Sequence, residues 1–135
     1  QALAAQRGVA DQVHFLGPVS DLPQRLMSHQ IFVLSTHYEG MPLSLIEGMA
    51  AGCAVVGSQV VGVQEVVDSG RTGLLVEHAN PQALADALAT LLNQPQDAAR
   101  MAAAAHAEVL QRYGLNTMTD RYEALLGSLL EKPVL

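Results

Sequence analysis

Two glutamates, Glu39 and Glu47, flank the segment of this chain whose residue types are best suited to chemistry. A short apolar run, residues 31–35, leads into a turn rich in Gly and Pro, and an apolar helix is predicted from Leu43. Glu39 therefore falls in a strand-to-helix loop and Glu47 in the first turns of the helix. The start of a helix offers unpaired amides and a positive dipole end for a phosphate, and carboxylates accept hydrogen bonds from sugar hydroxyls. This pattern predicts a site for a phosphorylated sugar.

Strands and helices alternate along the chain, which predicts an α/β domain with a mainly parallel sheet. In one helix, over residues 21–29, Leu26 and Met27 are predicted to face inward, and the continuous apolar run 31–35 is typical of a strand covered on both faces. The other predicted elements are helices at 2–10, 43–51, 81–92, 95–112 and 117–130, a helical turn at 63–68, and strands at 12–17, 54–58 and 74–76. Ligands of parallel sheets bind at the carboxyl ends of the strands, so we expect the loops there to converge on one site.

Composition excludes several classes of function. The chain has 135 residues, which fits one domain, and it carries 7 Lys and Arg against 13 Asp and Glu, for a net charge of −6. Without a basic cluster, and with 4% aromatic residues, nucleic-acid binding is not expected. There is no apolar run of about 18 residues, so no membrane span is expected. The single Cys53 rules out an internal disulfide and fits a reducing cytosol, and the histidine spacing predicts no metal site.

Ordered motifs cover essentially the whole chain. The matching segments are residues 13–17, 21–23, 31–35, the Glu39 to Glu47 block, 48–52, 62–67, 70–76 and 80–84. In these residues the chain resembles the C-terminal half of the nucleotide-sugar-binding domain of retaining GT-B glycosyltransferases of family 4, also called group 1. The resemblance implies a Rossmann-like parallel sheet with helices on both faces.

The same resemblance implies a reaction and a set of site residues. The reaction is transfer of a sugar from a UDP- or GDP-linked donor to an acceptor with retention of anomeric configuration, with no metal or other cofactor. Glu39 would be the catalytic residue beside the donor sugar, and Glu47 would bind the ribose. The sugar and the distal phosphates would be held by the backbone of Gly40, Met41, Pro42, Leu43 and Ser44. The base would pack near Gly17 and Val19.

Two departures from the family pattern carry expectations of their own. Residues 1–135 are expected to be a partial domain, lacking the first strands with their basic residues and the whole N-terminal acceptor domain, so we expect the chain alone to be inactive. The acceptor, a sugar, lipid or other small molecule, would bind through the missing domain. The apolar edge of strand 31–35 would then be uncovered, which predicts self-association. Val61 stands where the family has a glycine, and a positive φ there would be strained.

The resemblance also implies a cytoplasmic location, or a peripheral one at the inner membrane face through missing segments, and a role in polysaccharide biosynthesis. Two alternatives stay open: a non-catalytic nucleotide-binding or interaction module, and another GT-B enzyme such as a nucleotide-sugar epimerase or a phosphorylase. The paired glutamates favour a transferase, and Lys132, the single lysine, is far along the chain from the site a pyridoxal cofactor would need. The base, the sugar and the acceptor are left open.

Overall fold

A computed structural model describes residues 1–130 of the chain, so Lys132 lies outside the described residues. Within them, the strands are β1 (Ile31–Leu34), β2 (Ala54–Ser58) and β3 (Leu74–Val76). The helices are α1 (Ala2–Gln6), a 3-10 turn (Ala10–Gln12), α2 (Leu22–Met27), α3 (Leu43–Ala50), α4 (Val61–Gln64), α5 (Pro81–Asn93), α6 (Pro95–Arg112) and α7 (Leu115–Leu130). None of these helices is long and apolar enough to cross a bilayer.

The three strands form one parallel sheet in the order β1-β2-β3, which confirms the predicted α/β class. Ile31 lies beside Ala54, and Val56 lies beside Leu74. All five residues of the central β2 are buried, as a strand covered on both faces requires. β1 is covered on both faces as well, since its alternate side chains pack against the cores on opposite sides of the sheet. Its residues are partly buried because the described sheet has no strand beyond β1, which leaves the uncovered apolar edge that the sequence predicts.

The hydrophobic core lies in two layers, one on each face of the sheet. Val55 points into a layer formed with α3, α4 and α6, and its neighbour Val56 points into a layer formed with α5 and the start of α6. This alternation follows from the two-residue period of a strand. Leu45 and Met49 of α3 are fully buried in the first layer together with Val63 of α4. The helices that follow β1 and β2 are therefore fixed to each other through one core.

Two sequence predictions about the first thirty residues are wrong. Residues 12–17 form no strand: Gln12 ends the 3-10 turn, and although Val13 is extended, Phe15 and Leu16 are 57% and 58% exposed. A strand needs a hydrogen-bonded neighbour, and the described sheet places none beside this segment. Met27 was predicted to face inward but is 74% exposed, whereas Leu26 is buried as expected. The inward face of α2 holds the buried Leu26 and the partly buried Leu22, four residues apart.

The second half of the chain is helical, and its first helix begins with a well-defined cap. The side-chain oxygen of Asn80 accepts a hydrogen bond from the Ala83 amide at 3.0 Å, and Pro81 occupies the first helical position. α6 packs on α3 and β2, so it covers the sheet. α7 contacts α6 and has no buried residue, and its large apolar side chains Tyr122, Leu125 and Leu126 are more than half exposed.

Candidate functional site

The loops that follow the three strands lie at one edge of the sheet. The strands are parallel, so residues 35–42 after β1, residues 59–60 after β2 and residues 77–80 after β3 all leave from the carboxyl end. The structure therefore confirms that the loops after residues 35 and 58 converge. The third loop predicted to join them, after residue 17, follows no strand.

Glu39 and Glu47 sit on either side of the start of α3. Glu39 is half-buried in the β1–α3 loop, and Glu47 is exposed in the second turn of the helix. Among the described residues, neither carboxylate makes a hydrogen bond or an ion pair, whereas other acidic side chains such as Asp21 and Glu108 do. Both groups are thus available to accept hydrogen bonds from a ligand.

The backbone between the two glutamates offers three amide donors. The N–H groups of Gly40, Met41 and Ser44 have no acceptor within residues 1–130. Leu43, by contrast, donates to the Met41 carbonyl at 2.9 Å, and proline at position 42 has no N–H. Two of the five positions predicted to supply amides therefore cannot do so, because a tight turn at the helix start uses one of them internally. Pro42 is buried and instead supplies the carbonyl that begins the helix.

The β1–α3 loop and α4 approach each other closely at Gly62. A carbon added at Gly62 would lie 2.6 Å from the Gly40 carbonyl oxygen and 2.8 Å from the Glu39 carbonyl carbon. Val61 has no positive φ; Val60 is extended and Val61 opens α4 with its side chain 70% exposed. The anticipated strain at Val61 is therefore absent, because a helix start replaces the turn that would have needed a second glycine.

Gly17 and Val19 precede α2 in the chain, outside the β1–α3 loop. They line a groove of about 390 Å³ beside the open edge of β1, together with Leu22, Ile31 and Phe32. Gly17 adopts a φ of 64°, a conformation that favours glycine. No residue of 39–47 lines this groove. The groove nonetheless borders the helix that carries Glu47, because its lining residue Phe32 lies against Gly48 of α3.

A second cavity, of about 300 Å³, opens at the carboxyl ends of the strands. Its lining includes Ser35, Ser58 and His37. His37 makes a ring-to-ring hydrogen bond with His78, with ring centroids 4.5 Å apart. This pair ties the β1–α3 loop to the β3–α5 loop. Sequence reasoning missed it because the partners are 41 positions apart and no local pattern links them.

The three loops at the strand carboxyl ends, residues 35–42, 59–60 and 77–80, contain Glu39 and Glu77 and no Lys or Arg. Arg25, Arg71, Arg100 and Arg112 each pair with a carboxylate elsewhere in the described residues. Within the described residues, no group of three or more His, Cys, Asp or Glu side chains could hold a metal ion. An anion at this edge would therefore meet amide donors from this chain.

The shifted pKa values lie in supporting structure. Arg71, and then Arg112, hydrogen bond to Glu108 and hold the pKa of that carboxyl below its ordinary value. This cluster joins the turn after α4 to α6, because Arg71 also pairs with Asp68. Burial raises the pKa of the Cys53 thiol, which lies fully buried at the start of β2 and donates to the Leu26 carbonyl.

Comparison with known proteins identifies the family. The family described as glycosyl transferases group 1 matches residues 1–94. The chain belongs to the group 1 glycosyltransferases. It is 40% identical over 112 residues to a D-inositol 3-phosphate glycosyltransferase of Streptomyces scabiei, which covers 80% of this chain and 25% of the relative.

Two further group 1 comparisons bear on the site. A Campylobacter jejuni N,N'-diacetylbacillosaminyl-diphospho-undecaprenol alpha-1,3-N-acetylgalactosaminyltransferase is 32% identical over 119 residues, covering 88% of this chain and 31% of the relative. The Anabaena protein Alr3699/HepE, in complex with UDP and glucose, superposes with a TM-score of 0.88 at 28% identity, covering 94% of this chain and 35% of that one. The chain spans about a quarter to a third of the length of the curated relatives it matches.

Proposed function

We propose that this group 1 chain supplies the donor-binding half of a retaining glycosyltransferase, with a nucleotide-diphosphate sugar as donor. The observation that carries the proposal is the segment from Glu39 to Glu47, in which two unengaged carboxylates flank three unengaged amides at the carboxyl end of β1. Amides suit the diphosphate and carboxylates suit the hydroxyls of two sugars, the transferred one and the ribose. The binding of UDP and glucose by the Anabaena structure supports this class of ligand.

In the proposed reaction, the bond between the sugar's anomeric carbon and the phosphate oxygen breaks, and the nucleoside diphosphate leaves with the electron pair. The acceptor hydroxyl forms the new bond on the same face of the sugar and passes its proton to the oxygen of the departing diphosphate. The amides of Gly40, Met41 and Ser44 stabilise the charge that develops on the departing phosphate. Glu39 orients the sugar through its hydroxyls, and Glu47 holds the ribose. The acceptor binds to a part of the protein outside this chain.

Retention and location belong to the same proposal. The Campylobacter relative forms an alpha linkage by its name, which corresponds to retention wherever the donor linkage is also alpha. Product linkage tests retention when this chain is joined to its acceptor-binding part. It is read from the anomeric proton coupling immediately after transfer, and an inverted product would exclude retention. The free, buried Cys53 is compatible with a reducing compartment, and we place the reaction in the cytoplasm.

Ser44 is the second residue of α3. At this position the contribution of the backbone amide to ligand binding can be tested separately from that of the side chain. Ser44→Pro removes the N–H at a position where helices accept proline, as α2 already does with Pro23. Ser44→Ala removes the hydroxyl and keeps the N–H. One hydrogen bond to a charged group is worth about 1.5–3 kcal/mol, so Ser44→Pro should weaken UDP binding roughly ten- to a hundredfold.

Calorimetric titration with UDP and with UDP-glucose measures this difference. The Ser44→Ala variant should bind within about twofold of the parent, because in the proposal its hydroxyl is not a ligand contact. Equal affinity of Ser44→Pro and the parent would show that the amides at the start of α3 do not hold the diphosphate. Circular dichroism of both variants confirms that α3 is retained.

A further inference from the structure

The contact at Gly62 is set by space and not by backbone conformation. Gly62 lies inside α4 and has no positive φ, unlike Gly17 or Gly52, so another residue could adopt its backbone angles. Any side chain would nonetheless meet the main chain of Glu39 and Gly40, with the Glu39 carbonyl oxygen nearest of all. Main-chain atoms cannot rotate out of the way as a side chain can. A methyl group here therefore requires the loop or α4 to move.

Movement of α4 is resisted by its own packing. Val63, the next residue, is fully buried in the core layer that also contains Leu45 and Met49 of α3. Val66 and Val67, just after α4, are buried in the same layer. The β1–α3 loop, in contrast, is exposed at Tyr38 and Gly40. The displacement caused by a larger residue would therefore fall on the loop.

We propose that Gly62 is a positioning residue for the donor site. By letting α4 lie directly on the Glu39 and Gly40 carbonyls, it fixes the backbone that carries the Glu39 carboxylate and the Gly40 and Met41 amides. The expected effect on donor binding rests on the proposed function, whereas the contact of Gly62 with the loop is a feature of the structure itself. Moving the added carbon from 2.6 Å to an ordinary van der Waals separation from the Gly40 oxygen displaces the loop by about 1 Å. A misplacement of that size can cost on the order of a hundredfold in transfer rate.

The chain offers a matched control at Gly73. A carbon added at Gly73 would lie 2.8 Å from the Val55 carbonyl oxygen and 3.1 Å from Val67 Cγ1, so the crowding is comparable. Gly73 precedes β3 and therefore lies at the amino end of the sheet, away from the site. Gly62→Ala and Gly73→Ala should both lower thermal stability, but Gly62→Ala alone should alter the site.

Two measurements on these variants test the positioning role. In proton–nitrogen correlation NMR spectra of the ligand-free protein, Gly62→Ala should shift the backbone amide signals of the non-proline residues in 39–44. Gly73→Ala should leave these signals in place. UDP-glucose affinity should fall at least tenfold in Gly62→Ala and stay within twofold in Gly73→Ala. If the parent binds and Gly62→Ala binds equally well, the positioning role is wrong while the proposed function stands. If the parent binds none of UDP, GDP, ADP and their sugar conjugates, the proposed function fails, and the amide shifts still decide whether Gly62 sets the position of the loop.

A measurement on the parent covers the case in which Gly62→Ala does not fold. The close approach predicts nuclear Overhauser effects between the Gly62 α-protons and the amide protons of Gly40 or Met41. Their presence supports the contact without any substitution. Their absence in a folded sample would overturn the inference.

Discussion

Replacing Gly48 by alanine sets helix propensity against packing inside the helix that carries Glu47. Gly48 is buried in α3, and a methyl carbon there would lie 2.8 Å from Cγ and 3.1 Å from Cβ of Phe32 in β1. Alanine is favoured over glycine within a helix by about 1 kcal/mol. Overpacking a core contact costs about 1–3 kcal/mol. Cβ and Cγ lie next to the Phe32 main chain, so turning the ring does not relieve the clash, and β1 or α3 must shift.

The packing cost should therefore exceed the gain, and Gly48→Ala should destabilise the fold by up to about 2 kcal/mol. For a chain of this length, that corresponds to a fall in melting temperature of up to roughly 10 °C. Thermal unfolding followed by circular dichroism measures it. Gly127→Ala is the matched control, because Gly127 lies in α7 with nothing within 4 Å of the added carbon. That variant should gain helicity without loss of stability.

A Gly48→Ala protein that melts at or above the temperature of the parent would refute this reasoning. It would mean that the separation of α3 from β1 is not limited by the absence of a side chain at Gly48. A fall of similar size in Gly127→Ala would point to a general effect of the substitution and would equally remove the packing argument.

Three other predictions concern the supporting structure. The pKa of Glu108 is lowered by Arg71 and Arg112, so its stabilisation is present above its ordinary pKa of about 4.5 and is lost as the pH falls through the lowered value. Glu108→Gln should therefore lower the urea midpoint at pH 7, and its difference from the parent should shrink steadily as the pH falls below about 4.5. Asn80→Ala removes the cap of α5 and should cost about 1 kcal/mol in urea unfolding, with Asn80→Ser recovering most of it. Cys53 is fully buried and burial raises its pKa, so a disulfide reagent at pH 8 should modify it more than about a hundredfold more slowly than in the urea-unfolded chain.

Each of these predictions has a result that contradicts it. An undiminished difference between the parent and Glu108→Gln at low pH would show that charge pairing is not the source of the effect. Unchanged stability of Asn80→Ala would mean that solvent satisfies the start of α5 equally well. Rapid modification of Cys53 in the folded protein would show that the region between α2 and β2 opens readily.

The elements predicted best from the sequence are those whose own residues determine where they begin and end. β2 and β3 have their predicted bounds, because short apolar runs between turn residues leave little choice. α6 begins at Pro95 and ends at Arg112 as predicted, since proline favours the first helical turn and alanine the interior. The strand predicted at residues 12–17 is absent because a strand depends on a hydrogen-bonded neighbour, which the local sequence does not reveal.

The sequence predicted which loop forms the candidate site, but not which of its backbone amides are free to donate a hydrogen bond. Glu39 and Glu47 lie where their spacing predicted, beside the start of α3. The use of the Leu43 amide by Met41 depends on the turn geometry, and the pairing of His37 with His78 depends on how two distant loops meet. Such features follow from packing, so they become visible when the sheet order and the strand ends are known.

Donor binding by the Glu39 to Glu47 segment is the central claim, and saturation-transfer NMR tests it most directly. The parent, Glu47→Ala and the control Glu123→Ala, an exposed position in α7, would each be measured with UDP, GDP, ADP and their sugar conjugates. We expect transfer to the ribose protons of one preferred nucleotide in the parent and in Glu123→Ala, and its loss in Glu47→Ala. Transfer of equal strength in Glu47→Ala, or none from any nucleotide to a folded parent, would contradict it.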